Sequence, residues 1–296
     1  MNLIPNTLDL FSRVGDFYAE YYEKTANPAE RLTQSGLIDW LLPDELPDIV
    51  EWTEENINLS LDEMSNAEGF IDLKRTPYCI EPLRDWERPE VRKSVLVAIE
   101  QGAKSTSGYC GQLYAANFGL GPMLTMYPSA ELAIDVNRDR IEPLAKGIPH
   151  LKQALERHGG KQKEHYDFPG APWYFSGAGK PTIAKSFKFA IIEEPDFYNE
   201  SNQANDQKKK NDDAKIQVSN IRNIEKRQTS YDGDGAFTML NCSPTLLGAP
   251  AWKEYLKTSQ GVWHLRCQKK KCNKLISSCI VKPEMIKGQF VGGIKY

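Results

Sequence analysis

The sequence predicts an α/β protein with a mostly parallel sheet flanked by helices. Three observations carry that expectation. Short apolar runs recur at 95–97, 124–127, 189–192 and 237–240, each short enough to be a buried strand. Helix-compatible segments separate them, as in sheets whose neighbouring strands run parallel and need crossovers. The first run, V-L-V-A-I-E-Q-G-A-K-S-T at 95–106, ends in a turn of small residues followed by a lysine and two hydroxyls. That is the order strand, phosphate loop, helix. The four runs are therefore expected to be neighbours in one sheet.

The chain opens with an acidic stretch. Residues 1–66 hold fourteen acidic and three basic side chains within a formal net charge of -3, so the remainder is net positive. L-D-L-F-S-R-V-G-D-F-Y-A-E-Y-Y at 8–22 has apolar spacing that allows a helix, and 43–61 reads as a helix followed by a turn. We expect an acidic helical N-terminal arm over 1–66, a core over 67–260, and a basic, cysteine-containing segment over 261–296. After Leu256, nine Lys or Arg face only Glu284, a pattern suited to phosphate-backbone contact or to a plain solvated surface. No apolar run approaches the ~18 residues that span a bilayer, and Met1 is not followed by a signal-peptide pattern. The six cysteines are scattered, which fits a reducing compartment, and the expected location is cytosolic with no membrane contact.

Residues 73–90 contain three prolines, which disfavour long helices, and lead into the strand at 95–97. In the loop that follows, Lys104 has the chemistry to meet β- and γ-phosphates, and Ser105 offers a hydroxyl to Mg²⁺. Gln101, Gly102, Ala103 and Thr106 complete the candidate nucleotide-binding loop. Ala98 and Ala103 stand where the full pattern has glycine, and alanine tolerates positive φ poorly, so a slightly different loop or weaker nucleotide binding is expected. A solvated Lys-Ser-Thr at a helix start is the competing reading.

Further on, 123–127 reads as a second strand, and Ser129 caps an amphipathic helix that runs to about Leu144. S-G-A-G-K-P-T at 176–182 imitates a phosphate loop, but Pro181 occupies the hydroxyl position and Tyr174 the first glycine position, so it is rejected. F-K-F-A-I-I-E-E-P-D at 187–196 is a buried strand running into paired carboxylates. Beside a phosphate loop, such a pair lets one acid orient Mg²⁺ and its neighbour activate water; a strand ending in a solvated acidic turn is the alternative. Residues 199–215 contain no large apolar side chain and are expected to be an exposed, weakly ordered loop. The last strand ends in Asn241-Cys242-Ser243-Pro244-Thr245, small polar residues at the sheet edge where ligands gather.

Taken in order, these elements resemble the large terminase subunit of tailed phages, lambda-type family. The resemblance runs from near Trp52 to about Lys274 and covers roughly three quarters of the chain. It is carried by the spacing of Trp52 to Gly69, by R-T-P-Y-C-I-E-P at 75–82, by E-Q-G-A-K-S-T for A-Q-x-G-K-T and by the Pro128-Ser129 strand end. R-D-R-I-E-P-L at 138–144, I-I-E-E-P-D for D-E-x-D and C-S-P-T for S-T-P-T complete it. The resemblance implies a P-loop NTPase core of the ASCE type that hydrolyses ATP with Mg²⁺ and threads double-stranded DNA through a portal into an empty capsid. It gives Lys104 and Ser105 the phosphates and metal, Glu193 the metal-binding place, Glu194 the water-activating place, and Ser243 and Thr245 the coupling motif. Arg140 and Arg227 match basic positions able to meet a phosphate in cis or across a subunit boundary. Implied partners are DNA, the portal protein, the small terminase subunit and further copies in a ring, in the host cytoplasm and transiently at the prohead portal.

This sequence departs from the family in three ways. The later acidic cluster of the family's nuclease domain is absent from these residues, so nuclease activity is not expected of them. The family's zinc insertion begins C-x-x-C, whereas Cys267 and Cys272 are separated by four residues, with His264 before and Cys279 after; zinc ligands and reduced thiols are both open readings. Ala98, Ala103 and Glu193 depart from the motor motifs, which leaves two alternatives: a degenerate P-loop domain that binds DNA or a partner without turnover, or a helicase-like translocase.

Overall fold

Strands covered by helices on both faces read as near-continuous apolar runs, and the four runs fold accordingly. The structure, a computed structural model, describes residues 46–61, 68–157, 159–178, 185–198, 213–243, 245–246, 248–266, 275–277, 281–286 and 289–294. Those from Pro47 onward belong to one compact unit. Most of the expected acidic arm, residues 1–45, lies outside the described residues.

Helix α1 (Ile49–Asn56) begins where the Asp48 carboxylate accepts from the backbone N–H groups of Val50 and Glu51 at 2.9 and 3.1 Å, and it buries Ile49, Trp52 and Thr53. Prolines keep the next segment short, with a 3₁₀ turn at Pro77–Cys79 and α2 (Ile80–Arg84). Then come β1 (Lys93–Val97), α3 (Lys104–Asn117) and β2 (Met123–Tyr127). Helix α4 (Ala130–Val136) is capped by Ser129 Oγ, which accepts from Leu132 N at 3.1 Å, as the sequence predicts. It continues through a π-helical turn (Asn137–Ile141) into α5 (Glu142–Gly147), and α6 (Pro149–Glu156) follows. After these lie β3 (His165–Tyr166), β4 (Trp173–Gly177), β5 (Phe189–Glu193), α7 (Asp213–Arg227), β6 (Phe237–Cys242) and α8 (Pro250–Tyr255). Strands β7 (His264–Arg266) and β8 (Leu275–Ser277) form one antiparallel pair, β9 (Val281–Ile286) and β10 (Gln289–Ile294) another; the sequence reading anticipated neither.

The main sheet has the order β1-β6-β5-β2-β4-β3, parallel throughout except for β3 at the edge. The four runs named from sequence are its first four neighbours. Register aligns Val97 with Cys242 and Glu193 with Asn241, which brings the carboxyl ends of β1, β6 and β5 side by side. Of the segment expected to be a loop, 199–212 lies outside the described residues, while 213–215 opens α7. Within the rejected decoy, 176–177 close β4 and 179–182 lie outside the described residues.

Helix α3 lies unusually close to its neighbours because two of its residues lack side chains. A Cβ on Gly108 would come within 2.8 Å of Ile191 Cδ1, and one on Gly111 within 2.2 Å of Trp86 Cε2. A buried polar chain then ties helix to sheet: Trp173 Nε1 donates to Thr125 Oγ1 at 2.8 Å, and that hydroxyl donates to Gln112 Oε1 at 2.7 Å. With every member paired, such a chain fixes orientation as well as distance. Gly111→Ala is expected to lower unfolding stability by about 2 kcal/mol or more, because the Trp86 ring is held between Phe189 and Phe237 and has no room to retreat. Urea denaturation measures this; a loss below about 0.5 kcal/mol would show that the ring yields.

Candidate active site

The loop between β1 and α3 is built on backbone that alanine and glutamine seldom adopt. Gln101 and Ala103 have φ of 56° and 55°, in the left-handed region. Alanine at the glycine position was expected to alter the loop; instead Ala103 takes the glycine-like conformation itself. The Gly102 N–H donates to the Ile99 carbonyl at 3.3 Å, closing a tight turn, and the Ala98 N–H donates to the Cys242 carbonyl at 3.2 Å, fastening the loop to β6. Ala103→Val is expected to destabilise by at least about 1 kcal/mol, since a β-branched side chain fits this φ worst, while Ala103→Gly leaves the melting temperature unchanged or higher. Thermal melts of the two variants check the pair.

Lys104 is only 6% exposed. Its Nζ donates to the carbonyls of Ala98 (3.2 Å) and Ile99 (2.8 Å) and to Ser243 Oγ (3.1 Å). One residue on, Ser105 Oγ donates to Glu193 Oε2 at 2.8 Å, and Asn241 Nδ2 donates to Glu193 Oε1 at 3.0 Å. Glu194 carries the third left-handed backbone of the site, φ 49°. Its Oε2 accepts from the Ser243 N–H at 2.9 Å and its Oε1 from the Ser243 hydroxyl at 3.1 Å. Ser243 thus stands between the lysine and the second acid.

Burial pushes the Glu193 carboxyl up to about 7; Asn241, Ser105 and Lys104 pull it down, and the neighbouring Glu194 charge pushes it further up. The sign for stability follows. Both folded and unfolded chains hold the proton well below the ordinary value of 4.5, whereas above pH 7 the folded chain must carry a buried charge that the unfolded chain carries in water. The penalty appears as pH rises from 4.5 through about 7 and amounts to a quantity on the order of 3 kcal/mol. In EDTA, Glu193→Gln should therefore gain on the wild type as pH is raised from 5 to 8. A stability difference independent of pH would contradict this.

These groups open onto a cavity of ≈ 680 Å³. Gln101, Gly102, Ala103, Lys104, Ser105, Thr106, Glu194, Ser243 and Arg140 line it, so most of the residues named from sequence converge. Arg140 reaches it from the π-helical turn, beside the hydrogen-bonded hydroxyls of Tyr127 and Tyr109, 3.0 Å apart. Glu193 lies behind Ser105, 3% exposed. Thr245 is placed otherwise: its hydroxyl donates to Asp196 Oδ2 at 2.6 Å, while Asp196 Oδ1 accepts from Ala251 N at 2.9 Å, so this pair anchors the start of α8. Arg227 is not with the others. Its carbonyl accepts from Phe187 N at 3.2 Å, before β5 begins, which puts it roughly 20 Å from Glu193 at about 3.3 Å per residue. Within one chain it belongs at the amino end of β5, away from the carboxyl ends where the others meet. Cys267 and Cys272 lie outside the described residues, and among the described residues no group of three or more His, Cys, Asp and Glu could hold a metal.

A further part of the cavity lining was not read as a site. Phe70, Ile71, Asp72, Leu73, Arg75 and Thr76 form it, and the only sequence signal was the quoted R-T-P-Y-C-I-E-P run. As for a metal, Ser105 Oγ and Glu193 Oε2 are hard oxygen donors 2.8 Å apart. They fit Mg²⁺, which takes one or two protein oxygens and draws the rest from phosphates and water.

Residues 65–286 match the family described as "Phage terminase large subunit gpA, ATPase domain". Among solved structures, the large terminase of bacteriophage HK97 is similar with a TM-score of 0.50 at 14% identity, over 71% of this chain and 41% of that one. The large terminase of a thermophilic bacteriophage gives a TM-score of 0.37 at 14% identity, over 62% of this chain and 42% of that one. The first likeness concerns the fold, and the chain spans less than half the length of either protein. No curated protein sequence matches.

Proposed function

The chain belongs to the family of the phage terminase large subunit gpA ATPase domain, and from that premise we propose that it is the ATP-hydrolysing motor that drives double-stranded DNA into the prohead. The observation that carries the reading is the meeting of Lys104, Ser105, Glu193, Glu194 and Ser243 where β1, β6 and β5 end. A strand stands between the loop-bearing β1 and the acid-bearing β5, the arrangement expected of an ASCE core.

In this mechanism the Lys104 ammonium exchanges the neutral Ala98 and Ile99 carbonyls for charged β- and γ-phosphate oxygens, so that both partners of each bond are then ionised. Ser105 and Glu193 would hold Mg²⁺, which supplies charge neutralisation at the phosphates when bound. Glu194 accepts the proton of the attacking water, and Ser243 sets the direction of its carboxylate. Arg140 adds positive charge to the cavity lining. DNA, the portal, the small subunit and a ring of copies complete the proposed machine, in the host cytoplasm and at the prohead portal; Arg227 is proposed to act only across a subunit boundary.

Lys104→Ala should weaken both nucleotide binding and turnover, whereas Glu194→Gln should bind ATP and lose roughly two or more orders of magnitude in hydrolysis. Steady-state ATPase with double-stranded DNA, together with nucleotide titration, separates the two. Undiminished hydrolysis in Glu194→Gln would sink the assignment of the base.

A further inference from the structure

Asn241 breaks a rule of packing. It lies on β6, wholly buried, and its Oδ1 has no hydrogen-bond partner among the described residues. An unmet buried acceptor costs about 1–3 kcal/mol, so an apolar side chain of the same size would serve the core better. What the residue gains lies on the other side of its amide. Nδ2 is 3.0 Å from Glu193 Oε1 and 3.4 Å from the Lys104 carbonyl, in the first turn of α3. Two acceptors on that side require the amide nitrogen there. Register places Asn241 directly beside Glu193 on the neighbouring strand, and Gly108 leaves the space, since a Cβ there would stand 3.3 Å from Nδ2.

We propose that Asn241 is a positioning residue for the divalent cation of the nucleotide, holding Oε1 of Glu193 so that Oε2 stays turned toward Ser105. The inference rests on the Mg-nucleotide reading of the site. A carboxylate held at one oxygen cannot swing away about its terminal torsion, which is otherwise soft. The contact with the Lys104 carbonyl ties the same amide to the helix that carries Ser105, so acid and hydroxyl keep their spacing whether or not a ligand is present. Asn241 itself does not line the cavity.

The test uses the whole chain, a fluorescent ADP analogue, and Mn²⁺ as a paramagnetic probe whose free concentration is read by electron spin resonance. Asn241→Leu keeps the branched shape of the side chain and removes the donor. It should bind the analogue in EDTA within about twofold of the wild type, yet need at least about tenfold more Mn²⁺ to half-saturate the nucleotide complex, the scale that partners of metal ligands produce. In Glu193→Gln, adding Asn241→Leu should change the Mn²⁺ requirement no further, because the residue acts through that carboxylate. If Asn241→Leu gives no cooperative melt, Asn241→Ala, which removes the donor without adding bulk or charge, decides by the same two readings. Mn²⁺ requirements within twofold of the wild type, or full additivity with Glu193→Gln, overturn the proposal while leaving the site reading intact. A wild-type chain that binds no nucleotide analogue overturns the site reading and this inference together.

Discussion

The 2.8 Å hydrogen bond from Ser105 to Glu193 joins the start of α3 to the end of β5, and the rest of the site is arranged around it. For the two to meet, α3 must approach the sheet more closely than side chains usually permit. Gly108 and Gly111 make that approach possible, and the Trp173–Thr125–Gln112 chain holds it at a single orientation. Packing far from the cavity thereby sets a distance inside it. Because protein interiors have little free volume, a displaced helix would carry its serine away rather than be absorbed locally.

The same geometry stores strain at the cavity. Among the described residues, four that are not glycine have positive φ, and three of them, Gln101, Ala103 and Glu194, line it. Each costs on the order of 1 kcal/mol, and such backbone persists only where the surroundings hold it. Bonds to β6 do so on both sides: Ala98 N to the Cys242 carbonyl, and Glu194 N to the Asn241 carbonyl at 2.7 Å. The ionisable Glu193 adds to this cost, since burial disfavours its charge. Strain and buried charge concentrate where chemistry is proposed.

The sheet was legible in the sequence because buried parallel strands are short, apolar and separated by helices, and 95–97, 124–127, 189–192 and 237–240 all have that form. Edge elements were harder. Strand β3 has two residues and leaves no period to read, and α7 begins inside a run of polar residues, its apolar positions Ile216, Val218, Ile221 and Ile224 following only after 213–215. That Lys104, Ser105 and Glu194 meet around one cavity was legible because the sequence carries a strand ending in a small-residue turn before a lysine and hydroxyls, and a second strand ending in paired acids. Arg227 shows the limit of that logic: a basic residue at the matching place in a motif series lies at the amino end of β5, since sequence order does not say which end of a helix faces the cavity. The residues at 70–76 escaped because a proline-bounded loop looks like ordinary structure until its neighbours are known, and Asn241, named at the strand end, gave no sign in the sequence of its tie to Glu193.

Ser243 gives the site its internal linkage under the proposed function. Its hydroxyl accepts from Lys104 and donates to Glu194, while its N–H holds the second oxygen of the same carboxylate. An anion that draws the ammonium toward itself removes one partner from that hydroxyl without touching the acid directly. The hydroxyl, relieved of the lysine, can orient its remaining bond more strongly on Glu194 or turn from it toward the incoming oxygens. In either case the state of the carboxylate depends on the position of the lysine through two hydrogen bonds, each about 3.1 Å long. A chain of that length is short enough for phosphate arrival to be felt at the base within the same pocket, with no movement of the sheet required.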